Sequence, residues 1–126
     1  MMRWLFGRKS PREEFEPHRP DFLQMWFDTA ARSGSPRGLH WVSWTDAGAT
    51  VWAKDTANGQ LLALVPAVVQ FEPVEGGAMD DVPQAREPRA VVVIFRRRRG
   101  IWEADGRAIF NLNPRQAVER SAGRWV

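Results

Sequence analysis

Leu61-Leu62-Ala63-Leu64-Val65-Pro66-Ala67-Val68-Val69-Gln70-Phe71, with Ala90-Val91-Val92-Val93-Ile94-Phe95 further on, are the stretches whose reading decides the fold. Both are short, rich in β-branched and aromatic residues, and bounded by turn residues, Asn58-Gly59 before the first and Arg99-Gly100 after the second. That combination marks strands rather than helices. In an extended chain successive side chains alternate faces, so Leu61, Ala63, Val65, Ala67, Val69 and Phe71 share one face while Leu62, Leu64 and Val68 share the other. The second stretch repeats this, with Val91, Val93 and Phe95 set against Ala90, Val92 and Ile94. An antiparallel sheet with one wet side alternates apolar and polar residues, and these strands do not. Burying each branched aliphatic side chain is worth about 1.5–3 kcal/mol, so both faces require a cover. Pro66 cannot donate to a ladder and demands a bulge, an edge position or a break.

Working towards the N-terminus, Asn58-Gly59 is a strong hairpin signal, Thr50 to Lys54 is a strand, and Asp46-Ala47-Gly48 turns into a strand over Leu39 to Thr45. In that strand strict alternation sets Trp41 against Val42 and Trp44. Before it, Phe22, Leu23, Met25, Trp26, Phe27, Ala30 and Ala31 recur at helical spacing, with Asp21 in the first turn and Gly34 beyond the end, which predicts a helix over 20–33. Ser10-Pro11-Arg12-Glu13 has the form of a helix start, but Pro17 and Pro20 are expected to stop it within two turns, so 1–19 reads as a mobile arm with one helical turn. Towards the C-terminus, 73–88 reads as an exposed acidic loop, Ile101 to Ala104 pairs back after Arg99-Gly100, and Ala108 to Leu112 adds a further strand. Asn113-Pro114-Arg115-Gln116 starts a short helix over 114–121 that ends before Gly123.

The order predicts an α+β fold: one N-terminal helix packed on a five- to six-stranded antiparallel sheet, with a short C-terminal helix and a single domain over 20–123. The long helix can cover only one face of the sheet. For the other, the candidates are the helix 114–121, the arm with Trp4, Leu5, Phe6 and Phe15, a second copy of the chain, or a ligand held in a concave sheet.

Composition bounds the rest. With 126 residues, 44% of them hydrophobic and none cysteine, the chain fits one packed domain and excludes a disulfide framework, a collagen repeat and wholesale disorder. The longest apolar run contains Pro66 and falls short of a membrane span, and Trp4-Leu5-Phe6 is too short for an export signal, so a cytoplasmic location is expected. Net charge is +3 and unevenly spread: 72–88 carries one basic and five acidic residues, and 89–126 nine basic and three acidic. Such a split suits attraction within the fold, self-association or separate partner surfaces.

Catalytic and cofactor motifs are weak. His18 and His40 are the only histidines and offer no metal-ligand spacing. Asp80-Asp81 with Glu75 matches no cation loop, and Ser43, His40 and Asp46 lack a nucleophile elbow. Gly7-Arg8-Lys9-Ser10 lacks the first glycine of a phosphate loop, and no G-x-G-x-x-G occurs. No catalytic residue, metal or cofactor is predicted. The expectation is a non-catalytic interaction module whose sheet is completed by a protein partner or by a homodimer. One alternative is nucleic-acid or phosphate binding through Arg96, Arg97, Arg98 and Arg99 with Trp102 as a stacking platform, although strand geometry sends alternate arginines to opposite faces. The other is a small-ligand cavity between helix 20–33 and the sheet, lined by Trp26, Trp41 and Val93.

Overall fold

The computed structural model describes residues 9–34, 36–105 and 108–126. It is an α+β fold in the predicted order, with a six-stranded antiparallel sheet between a long N-terminal helical segment and a short C-terminal helix. The strands are β1 (Leu39–Asp46), β2 (Val51–Lys54), β3 (Leu61–Pro73), β4 (Arg89–Arg98), β5 (Ile101–Ala104) and β6 (Ile109–Phe110). The helices are α1 (Pro11–Phe15), α2 (Arg19–Arg32) and α3 (Pro114–Glu119).

β3 and β4 form the spine, in register through Leu64↔Ile94, Val65↔Val93 and Ala67↔Val91. Because β4 occupies one edge of β3, β1 and β2 share the other: β2 pairs with residues 61–64 and β1 with 67–73. Pro66 falls at the break between them. Its carbonyl accepts from the Ala47 N–H at 3.2 Å, so its nitrogen, which points to the same side, sits where neither strand needs a donor there. β5 and β6 share the far edge of β4 in the same way.

Strand parity places the two cores as expected. Ala63, Val65, Ala67, Val69, Phe71, Val91, Val93 and Phe95 pack with Leu23, Trp26 and Phe27 of α2. On the reverse face Leu62, Leu64, Val92 and Ile94 pack with Ala117 of α3, with Val118, Leu112 and Trp125 around them. The second cover is therefore the C-terminal helix and tail, one of the four candidates. α3 is held by a capping box in which the Asn113 side chain accepts from the Gln116 N–H and the Gln116 side chain accepts from the Asn113 N–H, both at 2.9 Å. Past it, the tail pairs with the outer edge of β2: Lys54 N–H donates to Val126 O at 2.8 Å, and Val126 N–H donates back at 3.0 Å.

Two local readings are corrected. Residues 11–18, expected as one helical turn in a mobile arm, start their helix at Ser10 as read but are docked on the sheet and run on to α2, with only a tightened 3₁₀ turn over Glu16–His18 between α1 and α2. Pro17 and Pro20 each fall in the first turn of the next helical piece, where the missing N–H has no intrahelical role. Phe15, fully buried, fixes this segment by packing on Phe22, Phe95, Trp102 and Trp52 at centroid distances of 5.2, 5.4, 4.9 and 5.6 Å. The other part of the arm, with Trp4, Leu5 and Phe6, lies outside the described residues. In β1 the register against β3 shifts between Trp41 and Ser43, a bulge that inserts Val42 and returns Trp44 to the face of Trp41. Trp44 Nε1 then donates to Gln24 of α2 at 2.9 Å, while Val42 is left 50% exposed.

The acidic stretch after β3 is mostly exposed but not featureless. It carries a 3₁₀ turn over Pro83–Arg86, buries Ala85, and is tied to β3 by Gln70 Nε2 donating to Arg86 O at 2.6 Å. No helix among the described residues is long and apolar enough to cross a membrane.

Candidate functional site

α2 turns Phe22, Trp26 and Ala30 towards the sheet at four-residue spacing, with Met25, Thr29 and Ser33 along the adjoining edge. Leu23 and Phe27 belong to the core, as does Trp26, which also borders the cleft. On the other side of the helix axis the sheet thins to β5 and the two-residue β6, and the side chains there are small, Ala104 and Ala108. A cleft of about 960 Å³ opens between α2 and this edge.

Its walls are aromatic. Phe22 and Trp26 come from α2, Trp41 from β1, Phe95 from β4, Trp102 from β5 and Phe110 from β6. Edge-to-face contacts hold these rings in place: Trp26 meets Trp41 at 5.6 Å and 80°, and Trp41 meets Phe71 at 4.7 Å and 77°. Trp102 is pinned from behind, its Nε1 donating to Pro11 O at 3.1 Å while Phe15 packs against its ring. α1 therefore positions one wall of the cleft, a role that follows only once residues 11–18 are folded against the sheet.

Of the cavity residues expected from sequence, Trp26 and Trp41 line the cleft, whereas Val93, 1% exposed, lies in the core layer outside its lining. Trp102, expected as a stacking platform beside the arginines, lies opposite Arg97 in the ladder and is a wall of the cleft with 7% exposure. Sequence reasoning missed Ala104, Ala108 and Phe110. A signal existed for Ala104: the Arg99-Gly100 turn fixes the register Phe95↔Ala104 and Arg97↔Trp102, so parity carried across the hairpin puts Trp102 and Ala104 on the face of Phe95.

The arginine run is dispersed. Arg96 points to the reverse face, 8% exposed, where Nη1 donates to Asp55 Oδ2 at 2.7 Å and to Gln60 Oε1 at 3.0 Å, and Nη2 to Asp105 Oδ2 at 2.9 Å. The Arg96 hydrogen bond, seconded by the Ala57 N–H, holds the Asp55 carboxyl below its ordinary range, while the bond to Asp105 raises the Arg96 guanidinium. Arg97 emerges on the helix face and donates to Glu14 at 3.3 Å. Arg98 lies 3.5 Å from Glu103 Oε1 and is more than half exposed. Arg99, with φ +52°, forms the turn with Gly100 at +78°. The run is thus split: Arg96 and Arg98 share the reverse face, where Arg96 is buried among carboxylates and Arg98 faces Glu103, while Arg97 reaches Glu14 on the helix face.

The remaining acidic and histidine groups are engaged or apart. Asp46 accepts from Arg19, a buried guanidinium that also donates to Thr50 Oγ1 at 3.1 Å and to Gly48 O, tying the β1–β2 turn to the start of α2. Asp80 accepts from the Gly76 N–H at 3.1 Å and faces Arg86 at 3.6 Å. Among the described residues no three His, Asp or Glu side chains gather as a metal site. No family model, curated protein or solved structure matches the chain, so the site is read from its own geometry.

Proposed function

We propose that the protein binds a small, largely apolar molecule in the cleft between α2 and the β5–β6 edge. The observation that carries this reading is the cleft itself: about 960 Å³, walled by six aromatic rings already locked by their neighbours. Small-molecule sites are typically preformed concavities of about 300–1,000 Å³, apolar with a few polar groups. The self-association reading was motivated by a sheet face without a cover. α3 and Trp125 provide that cover, leaving Leu62, Leu64, Val92 and Ile94 at most 5% exposed. Among the described residues, the large apolar side chains still exposed, Met25, Val42, Ile101 and Val126, sit on separate elements.

The test is titration with N-phenyl-1-naphthylamine, an uncharged fluorophore that brightens in apolar surroundings, followed through dye emission and tryptophan quenching. Saturable binding with about one site per chain is expected. Ala104 is exposed, small and directed into the cleft, so Ala104→Trp should fill the site without disturbing the core and abolish binding. Unsaturable binding, or binding indifferent to Ala104→Trp, overturns the proposal.

A further inference from the structure

We infer that the ligand is uncharged, an inference that rests on the cleft reading above and narrows it to a chemical class. Glu103 is the single ionisable residue among the described residues lining the cleft. Strand alternation turns its side chain away from Trp102 and Ala104, in register with Arg96 on the reverse face, and its Oε1 lies 3.5 Å from Arg98 Nε. Its backbone borders the cleft while its charge lies behind the sheet, facing a guanidinium. Arg97, opposite Trp102 in the ladder, is directed to Glu14 at 3.3 Å. The polar side chains that remain on the wall are the hydroxyls of Thr29 and Ser33 and the neutral indole N–H groups of Trp26 and Trp41, Trp102 Nε1 being bound to Pro11 O. Ser33 Oγ donates to Ala30 O at 2.6 Å.

An ion entering this cleft exchanges its hydration for aromatic carbon and hydroxyls, with no opposite charge directed at it from the described walls. A buried unpaired charge is among the costliest states in a protein interior. The net charge of the chain, +3, acts in the opposite sense and favours anions at long range. Local and global electrostatics therefore make opposed forecasts for an anion, which permits a decisive measurement. The Thr29 hydroxyl and the indole N–H groups, neutral polar groups on an apolar wall, suit a ligand with one neutral hydrogen-bonding group and an apolar remainder.

The experiment compares pairs that differ in charge but hardly in shape, by calorimetry on the full chain at fixed ionic strength. N-phenyl-1-naphthylamine is set against 8-anilinonaphthalene-1-sulfonate, the same scaffold carrying a sulfonate. Neopentylbenzene is set against benzyltrimethylammonium, its cationic isostere. The neutral member of each pair should bind at least tenfold more tightly, and Ala104→Trp should remove the binding of both neutral probes. Equal or tighter binding of the sulfonate overturns the inference while leaving the cleft reading standing. A preference for the ammonium does so in favour of a cation held by ring faces. Binding of none of the four overturns the cleft reading itself.

Discussion

Phe15 joins α1 to the sheet, since its ring touches Phe22 of α2, Phe95 of β4 and Trp102 of β5 together. Phe15→Ala should lower unfolding free energy by about 3–5 kcal/mol in urea titration, as for other fully buried aromatics. It should also weaken cleft binding, because Trp102 loses its backing. On the reverse face the Arg96–Asp55–Asp105 group makes an acid-sensitive contribution. Asp55 has its folded pKa lowered, chiefly by the Arg96 hydrogen bond, so it stabilises the fold above the ordinary carboxylate pKa, near 3.8. That contribution is lost as pH falls from there through the lower folded value. Asp55→Asn should therefore destabilise the protein at pH 7 and narrow the gap from wild type as pH drops below about 4, as read by thermal melts across pH.

At the level of elements, the β4–β5 hairpin and α3 offer the clearest tests. A two-residue turn with both residues left-handed suits asparagine or glycine first, yet Arg99 occupies that place with φ +52°. Arg99→Asn should raise stability by about 0.5–1 kcal/mol in denaturant titration. Asn113→Ala removes one arm of the α3 capping box and should cost about 0.5–2 kcal/mol in the same assay. Much of this architecture was legible in sequence, because parity along 61–71 and 90–95 needs no tertiary information and hairpin turns carry their own residue signatures. The bulge at Val42 was not, since nothing in Trp41-Val42-Ser43-Trp44 distinguishes strict alternation from an inserted residue. The helix start at Ser10 was legible, but the docking of residues 11–18 on the sheet was not, because the burial of Phe15 that fixes them is a contact across the whole domain. The dispersal of the arginines was half legible, as alternation separates Arg96 and Arg98 from Arg97 and Arg99, while the carboxylates that meet Arg96 lie far along the chain.

Across the whole molecule, the sheet divides the protein into a rigid reverse side, closed by α3, and a helix side left open at the β5–β6 edge. The cleft lies where α2 stops covering small side chains, so it follows from element placement and no single motif announces it. Deleting 124–126 should uncover the β2 edge and part of the Leu62–Leu64 face. Concentration-dependent self-association in sedimentation velocity is the expected outcome, because exposed strand edges beside apolar surface invite pairing. A truncated chain that stays monomeric at all concentrations would show that α3 alone seals this face.

The tail that zips onto Lys54 has a temporal consequence. During synthesis β3 and β4 leave the ribosome well before α3 and Trp125, so a nascent chain carries an unroofed oily surface until residues 112–125 have emerged. Translation arrested ahead of Asn113 should yield a product that recruits chaperones recognising hydrophobic segments, and a product extended through residue 126 should not.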